Sequence, residues 1–457
     1  MKHKQTFHKN IYIKVSIMLA FLLTSLGCKK DLPVEKIDLE TGYQLIEWNK
    51  KLTEVMISDV FTPPVASRIY AYSNIAAYEA IQAAEGNKNS LSQKLNKLSD
   101  IPTPQNHHEI NATISGVIAF ATAGKSLVYN SEAIEKHKED FISQLEKTEI
   151  DTKTLQNSIN YGEIVGTHIL DWANTDGYHQ RSALSRYQLK LNDPGSWKPT
   201  PPDYMEAIEP NWNTLRTFVL DSANQFLPEP PTAFDTIPSS QFYQETIAVY
   251  DAVKNLSPEN LEKAKFWDCN PNISFTKGHI MYYKQQISPG GHWMMIACQV
   301  IKEQKLSSLQ ASETLSKLGI TIADAFISCW SEKYKSSLIR PETYINTYID
   351  QNWKPILQTP AFPEYTSGHS VASSSAAIML THLFGNNYKF TDSTEIPYGL
   401  PARSFDSFTA AAEEAAISRL YGGIHYMPAI ENGVKQGTQI GRYIVNNIGN
   451  NHRNSDK

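Results

Sequence analysis

Three short segments in the last third of the chain carry residue types suited to holding and working on a small oxyanion. The first is Trp330-Ser331-Glu332-Lys333, followed after six residues by Arg340-Pro341. Lys333 and Arg340 are spaced by two turns of an α-helix, so both cations can project from one face, and Pro341 is expected to end that helix. The second is Phe362-Pro363-Glu364-Tyr365-Thr366-Ser367-Gly368-His369-Ser370, which opens a run of small residues over 372–377 that reads as a tightly packed helix. A Ser-Gly at a helix start offers a hydroxyl and free backbone N–H groups to an anion, with the helix dipole assisting. His369 sits beside that nest, where it could pass protons to a bound oxyanion. The third is Ser418-Arg419, then five residues, then His425. A helix ending at Gly422-Gly423 would place Arg419 in its last turn and His425 on the loop beyond. Taken singly, each segment has an ordinary reading: a solvated charged face, an N-cap serine beside a surface histidine, a capping arginine with a core histidine. Their occurrence in this order in one helical chain gives them weight.

The elements that must position these residues read as all-α. Residues 41–84 form two helices joined by Thr62-Pro63-Pro64, with apolar residues recurring at helical spacing through Tyr70, Ile75, Ala76 and Ile81. Residues 111–128, 131–147 and 153–175 read as three more helices. The stretch 176–240 differs: Pro194, Pro199, Pro201, Pro202, Pro228, Pro230 and Pro231 forbid long helices there and suggest an extended wrapping segment. Helical patterning resumes near Gln241 and continues to Asn447. The organisation is therefore a leader over 1–28, a tether over 29–40, an N-terminal helical region with its Pro-rich segment over 41–240, and a helical core bearing the three segments over 241–457.

Bulk composition narrows the partners more than the chemistry. The 457 residues are 41% hydrophobic and 19% charged with net charge −5, which argues against nucleic acid. At the N-terminus Lys2, Lys4, Lys9 and Lys14 precede an apolar run over 15–26, then Gly27-Cys28. This is an export signal too short to span a bilayer comfortably, and its cut site resembles a bacterial lipobox, implying lipidation of Cys28. The mature protein is expected to hang by lipid from the bacterial cell envelope, in the periplasm or at the surface, rather than cross a membrane. Cys269, Cys298 and Cys329 are far apart and lack metal-site spacing, so they read as buried thiols or at most one disulfide.

The three segments together, spanning 333–425, resemble the superfamily that joins type-2 phosphatidic acid phosphatases, bacterial acid phosphatases and vanadium haloperoxidases. Weaker likeness to the haloperoxidase branch extends to Gly195-Ser196-Trp197-Lys198-Pro199-Thr200-Pro201-Pro202, to Phe266-Trp267-Asp268 and to Gly290-Gly291-His292-Trp293. The resemblance implies a large helical bundle in which Lys333, Arg340 and Arg419 surround a vanadate or phosphate, with Ser367 and the Gly368 N–H on equatorial oxygens. It assigns His425 as vanadium ligand, or as phosphorylated nucleophile, and His369 as the acid–base group. Three cations converging in one pocket would repel one another without an anion to satisfy them.

Other residues favour peroxidase over phosphatase. Some three hundred residues precede the core, and Trp330 and Phe362 stand where haloperoxidases place aromatics around the cofactor. Hydrogen peroxide and a halide, iodide or bromide before chloride, are the implied substrates. The runner-up is a phosphatase using a phosphohistidine and no vanadate; a third reading is an anion-binding envelope lipoprotein without turnover. The sequence departs from the family pattern at Thr366, where Pro is usual, and at Ala429, where an Asp usually orients the last histidine. Glu431, Glu414 or a backbone carbonyl could take that Asp's place. His292 is expected at the pocket entrance or as a hydrogen-bonded scaffold residue, and Asp268 as a partner of Arg419.

Overall fold

The architecture, taken from a computed structural model, describes residues 37–277 and 279–449. The export signal and Cys28 lie outside the described residues. A first group of helices comprises α1 (Tyr43–Ser58), α2 (Pro63–Ala84), α3 (Ala112–Leu127), α4 (Ser131–Leu145) and α5 (Thr152–Ala173). Their starts follow from side-chain caps: Asn111, Asn130 and Asp151 each accept backbone N–H bonds from the first turn they precede, and Pro63-Pro64 open α2 without needing donors. Every residue of α2 is buried, so this helix runs through the core rather than along its surface.

The second group comprises α6 (Gln241–Lys254), α7 (Pro258–Phe266), α8 (Pro289–Glu303), α9 (Ser308–Ser336), α10 (Pro341–Tyr348), α11 (Gly368–Phe384), α12 (Phe408–Tyr421) and α13 (Met427–Ile448). The long α9 lies along α2, while α11 lies between α9, α12 and α13. One apolar core runs through both groups, from Leu45 and Trp48 to Ile440 and Ile444. Among the described residues no helix is long and apolar enough to cross a membrane.

Helix over 241–447 is not continuous. Two small antiparallel hairpins interrupt it, β1 (Ser274–Lys277) with β2 (Ile280–Tyr283) and β3 (Phe390–Asp392) with β4 (Arg403–Phe405). Their β-branched and aromatic residues, such as Ile280, Tyr282 and Tyr283, carry the strand signal.

The Pro-rich stretch after α5 holds only short 3-10 turns up to α6, and it clamps the second helical group. The Trp197 N–H donates to the Ser337 carbonyl at 2.7 Å, and the Ile208 N–H donates to the Ala361 carbonyl at 2.9 Å. On α9 the buried Asp324 carboxylate accepts the N–H groups of Phe218, Val219 and Leu220 at 2.7, 2.8 and 3.0 Å. An irregular segment has no ladder of its own for its donors, so a buried carboxylate takes them. Cys269, Cys298 and Cys329 are free and buried.

Candidate active site

Lys333 is delivered by the last turn of α9, which closes at Ser337 in the left-handed region with φ 52°. The expected single helix through Lys333 and Arg340 is therefore corrected. Arg340 is extended, with φ −79° and ψ 150°, and caps α10, whose first residue is Pro341. A proline excludes the helical region from the residue before it and suits the first helical position, where its missing N–H costs nothing. Pro341 thus opens a helix instead of ending one.

The segment between α10 and α11 supplies the other half of the site. Lys333 Nζ donates to the carbonyls of Pro363, Glu364 and Thr366 at 3.1, 3.0 and 2.5 Å. Arg340 Nε donates to the Phe362 carbonyl at 2.9 Å, and the Phe362 ring lies 5.0 Å from both the Lys333 ammonium and the Arg340 guanidinium carbon. Ser367 caps α11 and accepts the Ser370 N–H at 3.3 Å. Gly437 of α13 lets α11 approach closely: a Cβ there would stand 2.3 Å from the Val371 carbonyl oxygen.

His425 enters from the loop between α12 and α13, as expected, with Arg419 in the last turn of α12. Arg340 Nη1 donates to the Ile424 carbonyl at 2.9 Å and lies 3.2 Å from His425 Nε2. On the other side of the ring, His425 Nδ1 is 2.8 Å from Glu364 Oε1, which also accepts the Tyr426 N–H at 3.0 Å. Two donors at one carboxylate oxygen and an arginine at Nε2 fix the tautomer: the proton is on Nδ1 and the lone pair on Nε2. The partner of His425 is thus Glu364, and the other candidates are set aside. Glu431 is exposed, and Glu414 is held by Arg403 at 2.8 Å and by Trp267 Nε1 at 3.1 Å. The one sequence signal for Glu364 was an acid set among Phe362, Pro363 and Tyr365, where solvent exposure is least expected.

The electrostatics of the cluster are those of cations forced out of water. Burial pulls Lys333 down to about 7 and Arg340 down to about 10, and lowers Arg419. His425 is held well below the usual imidazole range by burial and by Arg340, Lys333 and Arg419. His369 is held well below it by burial and Arg419, against a hydrogen bond with the Trp267 backbone. Burial lifts the Glu364 carboxyl to about 7, against the pull of Arg340 and Lys333. Three buried polar atoms in this cluster have no hydrogen-bond partner: Arg340 Nη2, His369 Nε2 and Glu364 Oε2. A donor and a lone pair left idle in a buried cationic cluster fit a small oxyanion with protonatable oxygens. That donor set suits vanadate or phosphate.

Gly368, His369, Arg419 and His425 line one narrow cavity together with Trp330 and Phe362. Lys333, Arg340 and Ser367 are buried but do not line it. Trp330 and Phe362, 4.9 Å apart between ring centroids, form its apolar side. Asp268 also lines it; burial raises its carboxyl, with Arg419 the main opposing charge. His292 does not reach the entrance. It is fully buried behind the wall, stacked on Trp267 at 4.7 Å, because Asp392 holds its Nε2 at 2.7 Å.

The VCPO second helical-bundle domain matches residues 314–453. No curated protein sequence matches. The holo-type and apo-type structures of a bacterial vanadium-dependent chloroperoxidase match at 15% identity with TM-scores of 0.65 and 0.61, a likeness of fold. They cover 91% and 85% of this chain and 100% and 96% of theirs. A bacterial vanadium-dependent iodoperoxidase is similar at 46% identity with a TM-score of 0.85, over 90% of this chain and 98% of that one. With that identity along nearly its whole length, the chain belongs to the vanadium-dependent haloperoxidases, a family of peroxidase enzymes.

Proposed function

We propose that this enzyme oxidises iodide with hydrogen peroxide at a vanadate bound in the cavity between His425 and His369. The observation that carries the choice of halide is the 46% identity to an iodoperoxidase. His425 Nε2 would hold the vanadium, and Arg340, Arg419, Lys333, Ser367 and the Gly368 N–H would compensate the oxyanion's charge. When bound, vanadate supplies a Lewis-acidic centre that activates hydrogen peroxide toward halide without changing its own oxidation state.

The chain's own residues have separable tasks. Glu364 keeps the His425 proton on Nδ1, so that Nε2 carries the lone pair, which Arg340 Nη1 meets at 3.2 Å. His369 is neutral, and with its ring tied to the Trp267 backbone its free Nε2 can take a proton from hydrogen peroxide. Trp330 and Phe362 keep bulk water from the cations, which strengthens every charge interaction in the site. Export and anchoring through Cys28 remain part of the proposal: Cys28→Ser should move the protein from the membrane fraction to the soluble fraction.

One assay separates the readings. The purified full chain is loaded with orthovanadate and followed for iodide and bromide oxidation with hydrogen peroxide, then tested without vanadate for aryl phosphate hydrolysis. Iodide turnover that is lost in His425→Ala supports the proposal. Phosphate hydrolysis inhibited by vanadate would instead favour a phosphohistidine enzyme, since the same Glu364–His425 pair could orient a nucleophile. Neither activity would leave an anion-binding protein.

A further inference from the structure

At the edge of the cavity, whose lining includes Cys269, the Cys269 Sγ lies 3.2 Å from His292 Nδ1, and Glu395 Oε1 lies 3.3 Å from the same nitrogen. All three side chains are buried, and their ligand atoms lie within 4.8 Å of one another. Glu395 Oε1 makes no hydrogen bond although it is turned into the cluster. The opposite ring nitrogen, His292 Nε2, is held by Asp392 Oδ2 at 2.7 Å. The other oxygen of Asp392 is fixed by the Thr394 N–H and hydroxyl at 2.9 and 2.7 Å. A carboxylate on one nitrogen of an imidazole, with a thiol and a second carboxylate converging on the other, is how proteins prepare a histidine to bind zinc.

We propose that Cys269, His292 and Glu395 bind a divalent cation of the zinc type, separate from the oxyanion in the cavity. The ligand set is one sulfur, one nitrogen and one oxygen, with a fourth position for water or the second Glu395 oxygen. Bonds of roughly 2.0–2.3 Å at tetrahedral angles call for ligand atoms about 3.5 Å apart. Two of the distances already meet this, and a small rotation of Glu395 or Cys269 closes the third. Binding releases two protons to solvent, the Cys269 S–H and the one that Asp392 and Cys269 favour on the His292 ring against the effect of burial, and leaves thiolate, neutral imidazole and carboxylate around the ion. In its absence two buried carboxylates and a thiol face one imidazole.

The site would act on catalysis from the lining of the cavity itself. Cys269 lines the cavity beside Asp268 and Arg419, and it adjoins Trp267, whose backbone holds His369. A cation on Cys269 would pin that strip and shield the thiol from peroxide.

The test is metal analysis of the full chain purified without chelator. About one zinc per chain is expected, kept when vanadate is stripped and in His425→Ala, and lost in Cys269→Ser and Glu395→Gln. Because those variants could misfold, cobalt is added to the metal-stripped wild type. A near-ultraviolet thiolate-to-cobalt charge-transfer band and a rise in Tm are expected. A wild-type chain that carries no zinc, takes up neither zinc nor cobalt, and shows no change in Tm with either would overturn the proposal. That result would leave the vanadate reading untouched.

Discussion

Glu364 Oε1 stands 2.8 Å from His425 Nδ1, across 61 residues of sequence, and the two are buried together beneath three cations. On the function proposed above, Glu364 would take the part that the family resemblance gives to an Asp four residues beyond the histidine, where this chain has Ala429. Removing Glu364 should therefore act through His425. In Glu364→Ala vanadate affinity should fall by about 10–100-fold, the range for losing an orienting partner of a metal-bound histidine. Glu364→Gln, which keeps an acceptor for Nδ1–H, should lose less. Titration of the apo-protein with orthovanadate, read by calorimetry, checks both.

Arg340 is held at three points by the Phe362 carbonyl, the Ile424 carbonyl and His425 Nε2, with Nη2 idle. Lysine has no fork with which to span these positions. Arg340→Lys should weaken vanadate binding by about 10–150-fold, the equivalent of about 1.5–3 kcal/mol for a charged hydrogen bond. An affinity within twofold of wild type would show that the guanidinium does not face the anion.

His369 should separate chemistry from binding. Its Nε2 has no partner, so His369→Ala leaves no buried group stranded by the loss of Nε2. Iodide oxidation should drop by about 10²–10⁴-fold, the usual scale for an acid–base group, while vanadate affinity by equilibrium dialysis stays within a few-fold.

Stability should depend on pH through the buried carboxyls. Burial raises Glu364 and Glu79 to about 7 and Asp324 to about 6. Between the ordinary carboxyl value near 4.5 and these values each of these carboxyls binds more protons in the folded chain than in the unfolded one, so its contribution to stability falls as pH rises through the window. Glu364→Gln should flatten part of that fall in the vanadate-free protein. The difference in Tm between wild type and Glu364→Gln, measured from about pH 4.5 to 7.5, checks the sign, because His369 and His425, held below the usual imidazole range, pull the other way in both proteins.

Gly437 tests the scaffold without touching the site. Its missing side chain lets α13 meet the backbone of α11, where a Cβ would collide with the Val371 carbonyl. Gly437→Ala should cost about 1–3 kcal/mol in urea unfolding. Activity should also fall, because α11 carries Ser367, Gly368 and His369.

Much of the fold was legible because its signals are local. Asn111, Asn130, Asp151 and Ser367 announce helix starts through their own side chains, and Gly422-Gly423 marks the end of α12 at Tyr421. Pro341 was ambiguous for an equally local reason. A proline can stand just after one helix or at the start of the next, and only the turn at Ser337 decided between them.

The amino-acid order alone determined which side chains were available: a Lys and two Arg, a Ser-Gly helix start and two histidines, on helices whose caps are written beside them. It also placed the irregular Pro-rich stretch between the two helical groups. The tertiary structure decided who faces whom. It put Glu364 on His425, turned Lys333 onto three carbonyls, and drew His292 away from the cavity to Asp392. Caps and periodicity act over a few residues, whereas partners of buried charges are chosen by which segments the core brings together, across 61 positions in one case and 100 in another.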